Sequence, residues 1–200
     1  MKQRLLLILT LCVTAISADE SGIEQLMKGN SRFVRGDLLH PDRTRERREE
    51  TALGQSPFAV IVTCSDSRVS PEIIFDEGIG DLFVVRLAGN IVGPLAEESI
   101  EFAVKALGAS TILVMGHEKC GAVNAVLTGQ DASIPDIAAY IAPSIRKTRQ
   151  LEEAVKANAL SVSADIAANP KFKPLIESNA LKVYAGYYRL KSGAVELLPR

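Results

Sequence analysis

The stretch Cys64-Ser65-Asp66-Ser67-Arg68 places a thiol, a carboxylate and a guanidinium within one short turn of chain. A second stretch, His117-Glu118-Lys119-Cys120, spaces an imidazole and a thiol three residues apart. Thiolate and imidazole are the donors zinc prefers, and a Cys, His, Cys set leaves one tetrahedral position open for water or substrate. Two thiolates neutralise the zinc charge, so water there is acidified less than at an all-histidine site and a neighbouring group must contribute. Asp66 can accept a hydrogen bond from such a water, and Arg68 can pin its carboxylate in a bidentate pair. Two plainer accounts stand beside this chemistry: a disulfide between Cys64 and Cys120, and a structural ion pair between Asp66 and Arg68.

Both clusters follow apolar runs. Phe58-Ala59-Val60-Ile61-Val62-Thr63 and Thr111-Ile112-Leu113-Val114-Met115-Gly116 have the length and β-branched content of buried parallel strands. Such strands present reactive groups at their carboxyl ends, where open α/β sheets build their sites. Helical segments fall between them. Pro71 opens a short helix that Gly78 and Gly80 break; Pro94 to Leu107 is a helix with Leu95, Ile100, Ala103, Val104 and Leu107 inward; Gly129 ends a helix that follows Cys120. Leu82–Val85 and Leu181–Tyr188 are further strands, and Lys191-Ser192-Gly193 turns the latter into a hairpin with Ala194–Leu198. The alternation predicts an α/β fold: a parallel central sheet of about four strands with an antiparallel edge strand, flanked by helices, with an N-terminal helical arm.

Ahead of that core, Ser21-Gly22-Ile23-Glu24 is a capping box, and Ile23, Leu26, Met27, Asn30, Phe33 and Val34 recur at helical spacing until Gly36. This apolar stripe must pack on its own domain or on a second subunit. Residues 40–50 read as a solvated, charge-laced helix face rather than an anion site, with His40 at the surface. Residues 131–179 read as mainly helical, with no identifiable chemistry.

The whole chain has 200 residues and a formal charge of −1, and no basic patch that would suit nucleic acid. Residues 1–18 differ from the rest: Lys2 and Arg4 precede an apolar run from Leu5 to Ile16, with Ala15, Ser17 and Ala18 after or within its end. That is the layout of a secretory signal peptide, too short to cross a bilayer comfortably. Residues 19–200 are then one domain, with 19–53 as its helical arm, periplasmic or secreted and without stable membrane insertion. Removing Lys2 and Arg4 takes the formal charge from −1 to −3.

At these residues the chain resembles the β-class carbonic anhydrases. The resemblance runs from about Asn30 through Leu127 and resumes from Val183 to Leu198. It is carried by Cys64-Ser65-Asp66-Ser67-Arg68 and Gly116-His117-x-x-Cys120-Gly121, with support from Asp81-Leu82-Phe83-Val84-Val85-Arg86 and Ala88-Gly89-Asn90. It implies one zinc ion per chain on Cys64, His117 and Cys120, and Asp66 with Arg68 as the catalytic dyad. It further implies that zinc hydroxide is the nucleophile in a reversible hydration of carbon dioxide to bicarbonate and a proton. Gln55 matches a glutamine of the plant-like branch that reaches across a dimer to the substrate, Phe83 an aromatic wall of that pocket, and the backbone near Gly121 a place to position oxygens. The resemblance implies a homodimer or higher oligomer, which would give the N-terminal helix a partner to cover. Another branch uses a tryptophan in a regulatory bicarbonate site; this chain has none, which favours the open-site type. Two alternatives remain: a non-catalytic zinc protein closed by Asp66, and a sibling hydrolase of carbonyl sulfide or carbon disulfide.

Overall fold

Five consecutive residues with no accessible surface, Ala59–Thr63, form strand β1 at the centre of a five-stranded sheet in the computed structural model, which describes residues 21–199. The signal-peptide reading of residues 1–18 lies outside the described residues. The other strands are β2 (Leu82–Arg86), β3 (Thr111–His117), β4 (Lys182–Tyr188) and β5 (Val195–Leu197). Their order is β2-β1-β3-β4-β5, with the first four parallel and β5 antiparallel at the edge. This matches the expected sheet of four parallel strands and one antiparallel edge.

The chain leaves β1 for β2 on one side, then crosses back to β3 on the other. The strand order therefore reverses between β1 and β3, and a crevice opens outside their carboxyl ends. Thr63 pairs in register with Met115, so Cys64 and His117 emerge side by side from neighbouring strands.

The period-2 alternation of the strands separates two apolar layers. Val60, Val62, Ile112 and Val114 face a core shared with α4 (Pro94–Lys105), α5 (Gly121–Thr128), α6 (Pro135–Ile145) and α7 (Leu151–Ala168). Ala59, Ile61, Leu113 and Met115 face the opposite layer, where α1 (Gly22–Arg35) and α3 (Pro71–Ile74) pack. Cys64 continues the parity of Val60 and Val62, which turns its sulfur toward the α5–α7 side.

Ile23 and Leu26 of the α1 stripe are buried in the same layer as Phe75 and Ile61, so this part of it packs on its own domain, while Val34 at its end stays exposed. Ser21 N–H donates to Glu24 at 3.1 Å, as the capping box requires. Asn30 ties the helix down: its Nδ2 donates to Gly193 O at 2.8 Å and Ile74 O at 3.1 Å, and Val195 N–H donates to its Oδ1 at 2.9 Å.

Three local expectations are corrected. The helix after Pro71 ends at Ile74, before either glycine, because Asp76 takes a left-handed conformation (φ 49°) and gives its carboxylate to Arg32 and to the N–H groups of Leu39 and His40. Leu95 does not face inward but is 80% exposed: Ala96, Ile100, Ala103 and Val104 fill the buried face, and Leu95 lies one residue, about 100°, off it. Residues 40–50 are not wholly solvated either. The helix α2 (Arg45–Thr51) buries no residue, yet Arg47 docks it to the body through Ile79 O at 2.8 Å and Asp81 at 3.0 Å. Residues 131–179 are helical as expected, closing with α8 (Lys173–Glu177).

Candidate metal centre

The sulfur atoms of Cys64 and Cys120 and a ring nitrogen of His117 lie within 4.8 Å of one another. Cys64 is the residue after β1, His117 the last of β3, and Cys120 the N-cap of α5. All three are buried, and both cysteines are free thiols, so the disulfide account is set aside.

The tautomer of His117 follows from its neighbour. Nδ1 lies 2.9 Å from the carbonyl of Glu118, which can only accept, so Nδ1 carries the proton and Nε2 presents a lone pair. That Nε2 is buried with no hydrogen-bond partner among the described residues. A buried, unpartnered nitrogen lone pair beside two thiols is costly unless a cation completes it. The donor set and the orphaned nitrogen fit zinc.

The thiols respond to each other. The neighbouring sulfur of Cys120 chiefly pulls Cys64 down from the ordinary thiol range, with help from the nearby imidazole and from the N–H groups of Gly89 and Asp66, against the opposing effect of burial. Cys120 is pushed far up by that same contact with Cys64 and by its own burial. A divalent metal held between the two sulfurs would favour the ionised form of both. Gly89 N–H donates to Cys64 Sγ at 3.3 Å.

Asp66 stands beside the imidazole, with Oδ2 3.8 Å from His117 Nε2. Arg68 grips both carboxylate oxygens, Nε to Oδ1 at 2.9 Å and Nη2 to Oδ2 at 2.7 Å, and its backbone N–H adds a third bond to Oδ1 at 3.0 Å. Those bonds hold the carboxyl well below the usual carboxylate range. The turn carrying Asp66 is itself clamped by Arg86, the last residue of β2, whose guanidinium donates to Cys64 O at 3.2 Å and Asp66 O at 2.8 Å.

The remaining predicted residues are not all brought to this point. Gly121 opens α5 directly beside Cys120. Gln55 is exposed at the amino-terminal end of β1, and the strand alone separates it from Cys64 by roughly 15 Å. Phe83 packs on the correct face of the sheet, but it pairs with Val60, roughly 13 Å along the strand from Cys64. Within one protomer, neither Gln55 nor Phe83 reaches the cluster. Sequence reasoning gave no role to Arg86 and Gly89, which bond to Cys64, or to Asn158, which bonds to the Gly89 carbonyl. The signals were a charge ending an otherwise apolar strand and an asparagine inside an apolar helical stripe.

The carbonic anhydrase family profile matches residues 59–195. "Carbonic anhydrase 2" of Mycobacterium tuberculosis is 47% identical over 126 residues, an alignment covering 60% of this chain and 61% of that protein. The chain thus spans less than two thirds of that relative. The carbonic anhydrase of Pseudomonas aeruginosa is 32% identical over 166 residues, covering 74% of this chain and 76% of that one. Among solved structures, the β-carbonic anhydrase CcaA superposes with a TM-score of 0.71 at 26% identity, over 88% of this chain and 95% of that chain. A buried Cys-His-Cys cluster at a sheet switch point, inside a sequence and fold matched in this way, places the chain in the β-class carbonic anhydrase family.

Proposed function

We propose that this protein is a zinc enzyme that catalyses the reversible hydration of carbon dioxide, CO2 + H2O giving HCO3− and H+. The observation that carries the reading is the orphaned Nε2 of His117, set between two thiols and facing a carboxylate whose two oxygens Arg68 holds. Cys64, His117 and Cys120 would bind the ion, one per chain. When bound, zinc supplies a Lewis acid that lets water act as a nucleophile near neutral pH.

The chain's own groups do the rest. Asp66 Oδ2, 3.8 Å from His117 Nε2, is placed to accept a hydrogen bond from a water at the centre and would orient it there. Arg68 fixes that carboxylate in its ionised form, and Arg86 fixes the turn bearing it. The Gly121 N–H, at the first turn of α5 where intrahelical acceptors are lacking, is available to a substrate oxygen. The closed, non-catalytic alternative requires Asp66 to leave Arg68 for the metal, against two side-chain bonds and one backbone bond. The geometry therefore favours the open site.

Gln55 and Phe83 enter the reading only through a second copy. Each lies too far from its own cluster, so a homodimer in which Gln55 and Phe83 of one protomer line the other's pocket would account for both. Export led by residues 1–18 completes the proposal, and the periplasm or the exterior is the compartment it implies. Among the described residues no helix is long and apolar enough to cross a membrane.

Stopped-flow measurement of carbon dioxide hydration by the zinc-loaded protein is the test. Turnover that a chelator abolishes and zinc restores is expected. A fully loaded, folded protein with no hydration activity at any pH refutes the enzyme.

A further inference from the structure

Helix α7 buries one face on the sheet, made of Ala154, Val155, Asn158, Ala159, Val162, Ser163 and Ile166. The spacing is that of a core-facing stripe, and Asn158 breaks its apolar character with no accessible surface at all. A buried amide there is costly unless its groups are paired. Nδ2 donates to the carbonyl of Gly89 at 2.7 Å, and Oδ1 lies 3.1 Å from the Ser144 hydroxyl on α6, which also lies 2.7 Å from Ile141 O. The orientation of the amide is fixed by chemistry, since a carbonyl accepts only from the NH2 side.

The residue that Asn158 grips is the one whose N–H reaches Cys64. Gly89 lies in a single 3-10 turn, Ala88–Asn90, at φ 73°, and Asn90 beside it has φ 47°. Two consecutive left-handed residues suit only Gly, Asn and Asp, so this turn depends on its residue types and on what packs around it. Inside the turn, Asn90 N–H closes back on Leu87 O at 2.9 Å. Outside it, Asn158 holds the Gly89 carbonyl. A Cβ on Gly89 would sit 2.6 Å from Ile141 Cδ1, so α6 and α7 together form the mould into which this turn fits.

We infer that Asn158 is a positioning residue for the metal centre: by clamping the Gly89 carbonyl it holds the Gly89 N–H on the sulfur of Cys64. An amide hydrogen bond to a ligating thiolate draws electron density from the sulfur and weakens its neutralisation of the metal. At a site with two thiolates, this offsets part of the acidity that the second sulfur removes. The inference rests on Cys64 being a metal ligand.

Cobalt(II) substitution gives a readout independent of turnover, because thiolate-to-cobalt charge transfer reports the electron density on sulfur. Wild-type protein loaded with cobalt should show that band. Its absence means that Cys64 and Cys120 do not ligate, which overturns the zinc reading itself. Given the band, Asn158→Leu should shift it to longer wavelength, because the sulfur regains electron density, and weaken zinc binding by about 10-fold, because the turn that holds Cys64 in place is released; Ser144→Ala, which keeps the Nδ2 donor, should change both far less. If the leucine variant does not fold, as judged by circular dichroism, Asn158→Ser is read in the same way. In wild-type protein loaded with cadmium-113, the Gly89 amide proton should show scalar coupling to the metal through the N–H···S bond. A folded variant with unchanged band and affinity, or no coupling to Gly89, overturns the proposal.

Discussion

Arg68 occupies both oxygens of Asp66, with bonds of 2.9 Å and 2.7 Å, while Oδ2 remains 3.8 Å from Nε2 of His117. The carboxylate is thus ionised, oriented and adjacent to the metal-binding atoms without being committed to them. Asp66→Asn should keep its zinc, since three other residues supply the ligands, and lose hydration rate by about 10- to 100-fold, because the amide has no charge to hold against Arg68. Zinc content and initial rates of the two proteins, measured together, check this. Loss of zinc with the substitution would instead identify Asp66 as a fourth ligand.

Ligand substitutions should act differently. Cys64→Ser, His117→Ala and Cys120→Ser each leave two strong donors from the cluster, too few for a tight site. Metal analysis of the purified variants should show most of the zinc gone from each. Full occupancy in any of the three would refute the ligand set.

Glu77 should make stability fall with rising pH. It is buried, and burial chiefly pushes its carboxyl up to about 7 from an ordinary 4.5, against the hydrogen bond from Gln25. The native state therefore keeps a proton that the unfolded chain releases between those values. The contribution is full below about pH 4.5 and is lost as pH rises through about 7. Glu77→Gln retains an acceptor for Gln25 and removes the charge, so at pH 8 it should be more stable than wild type by roughly 2 kcal/mol. Urea unfolding at pH 5, 6.5 and 8 measures the slope; parallel curves for the two proteins would show that Glu77 titrates normally.

Asn30 should be among the residues on which α1 depends most. Asn30→Leu leaves the carbonyls of Ile74 and Gly193 and the N–H of Val195 buried without their partner. At 1–3 kcal/mol per orphaned group, partly relieved by relaxation, the loss should be about 3 kcal/mol. Equilibrium denaturation checks it, and a loss below about 1 kcal/mol would mean that α1 is held by its apolar stripe alone.

Export predicts a processed amino terminus. Intact mass of the protein secreted by its native host should lack about seventeen or eighteen residues, in keeping with the small-residue rule at Ala15, Ser17 and Ala18. A soluble cytoplasmic species with the full chain would refute it.

Much of this protein is written locally. The runs before Cys64 and His117 specify buried strands because β-branched residues recur without polar interruption. The motifs at their ends specify which atoms could hold a metal, since ligand chemistry depends on residue type. The capping box at Ser21, the Gly129 stop of α5 and the hairpin at Gly193 were legible for the same reason: each depends on residues adjacent in the chain. The inward place assigned to Leu95 and the length of the helix after Pro71 were not, because a helix's buried face and its end were decided by what the rest of the fold offered.

Only the tertiary structure placed the pieces against one another. Pairing β1 with β3 rather than leaving them apart sets Thr63 opposite Met115 and brings Cys64 to His117. Packing α7 on the same face carries Asn158 to Gly89, sixty-nine residues away. Arg86 reaches the Cys64 and Asp66 carbonyls only because β2 lies beside β1. Strand order and helix placement are settled by burying all the apolar faces at once, a condition on the whole chain that no single stretch of it contains.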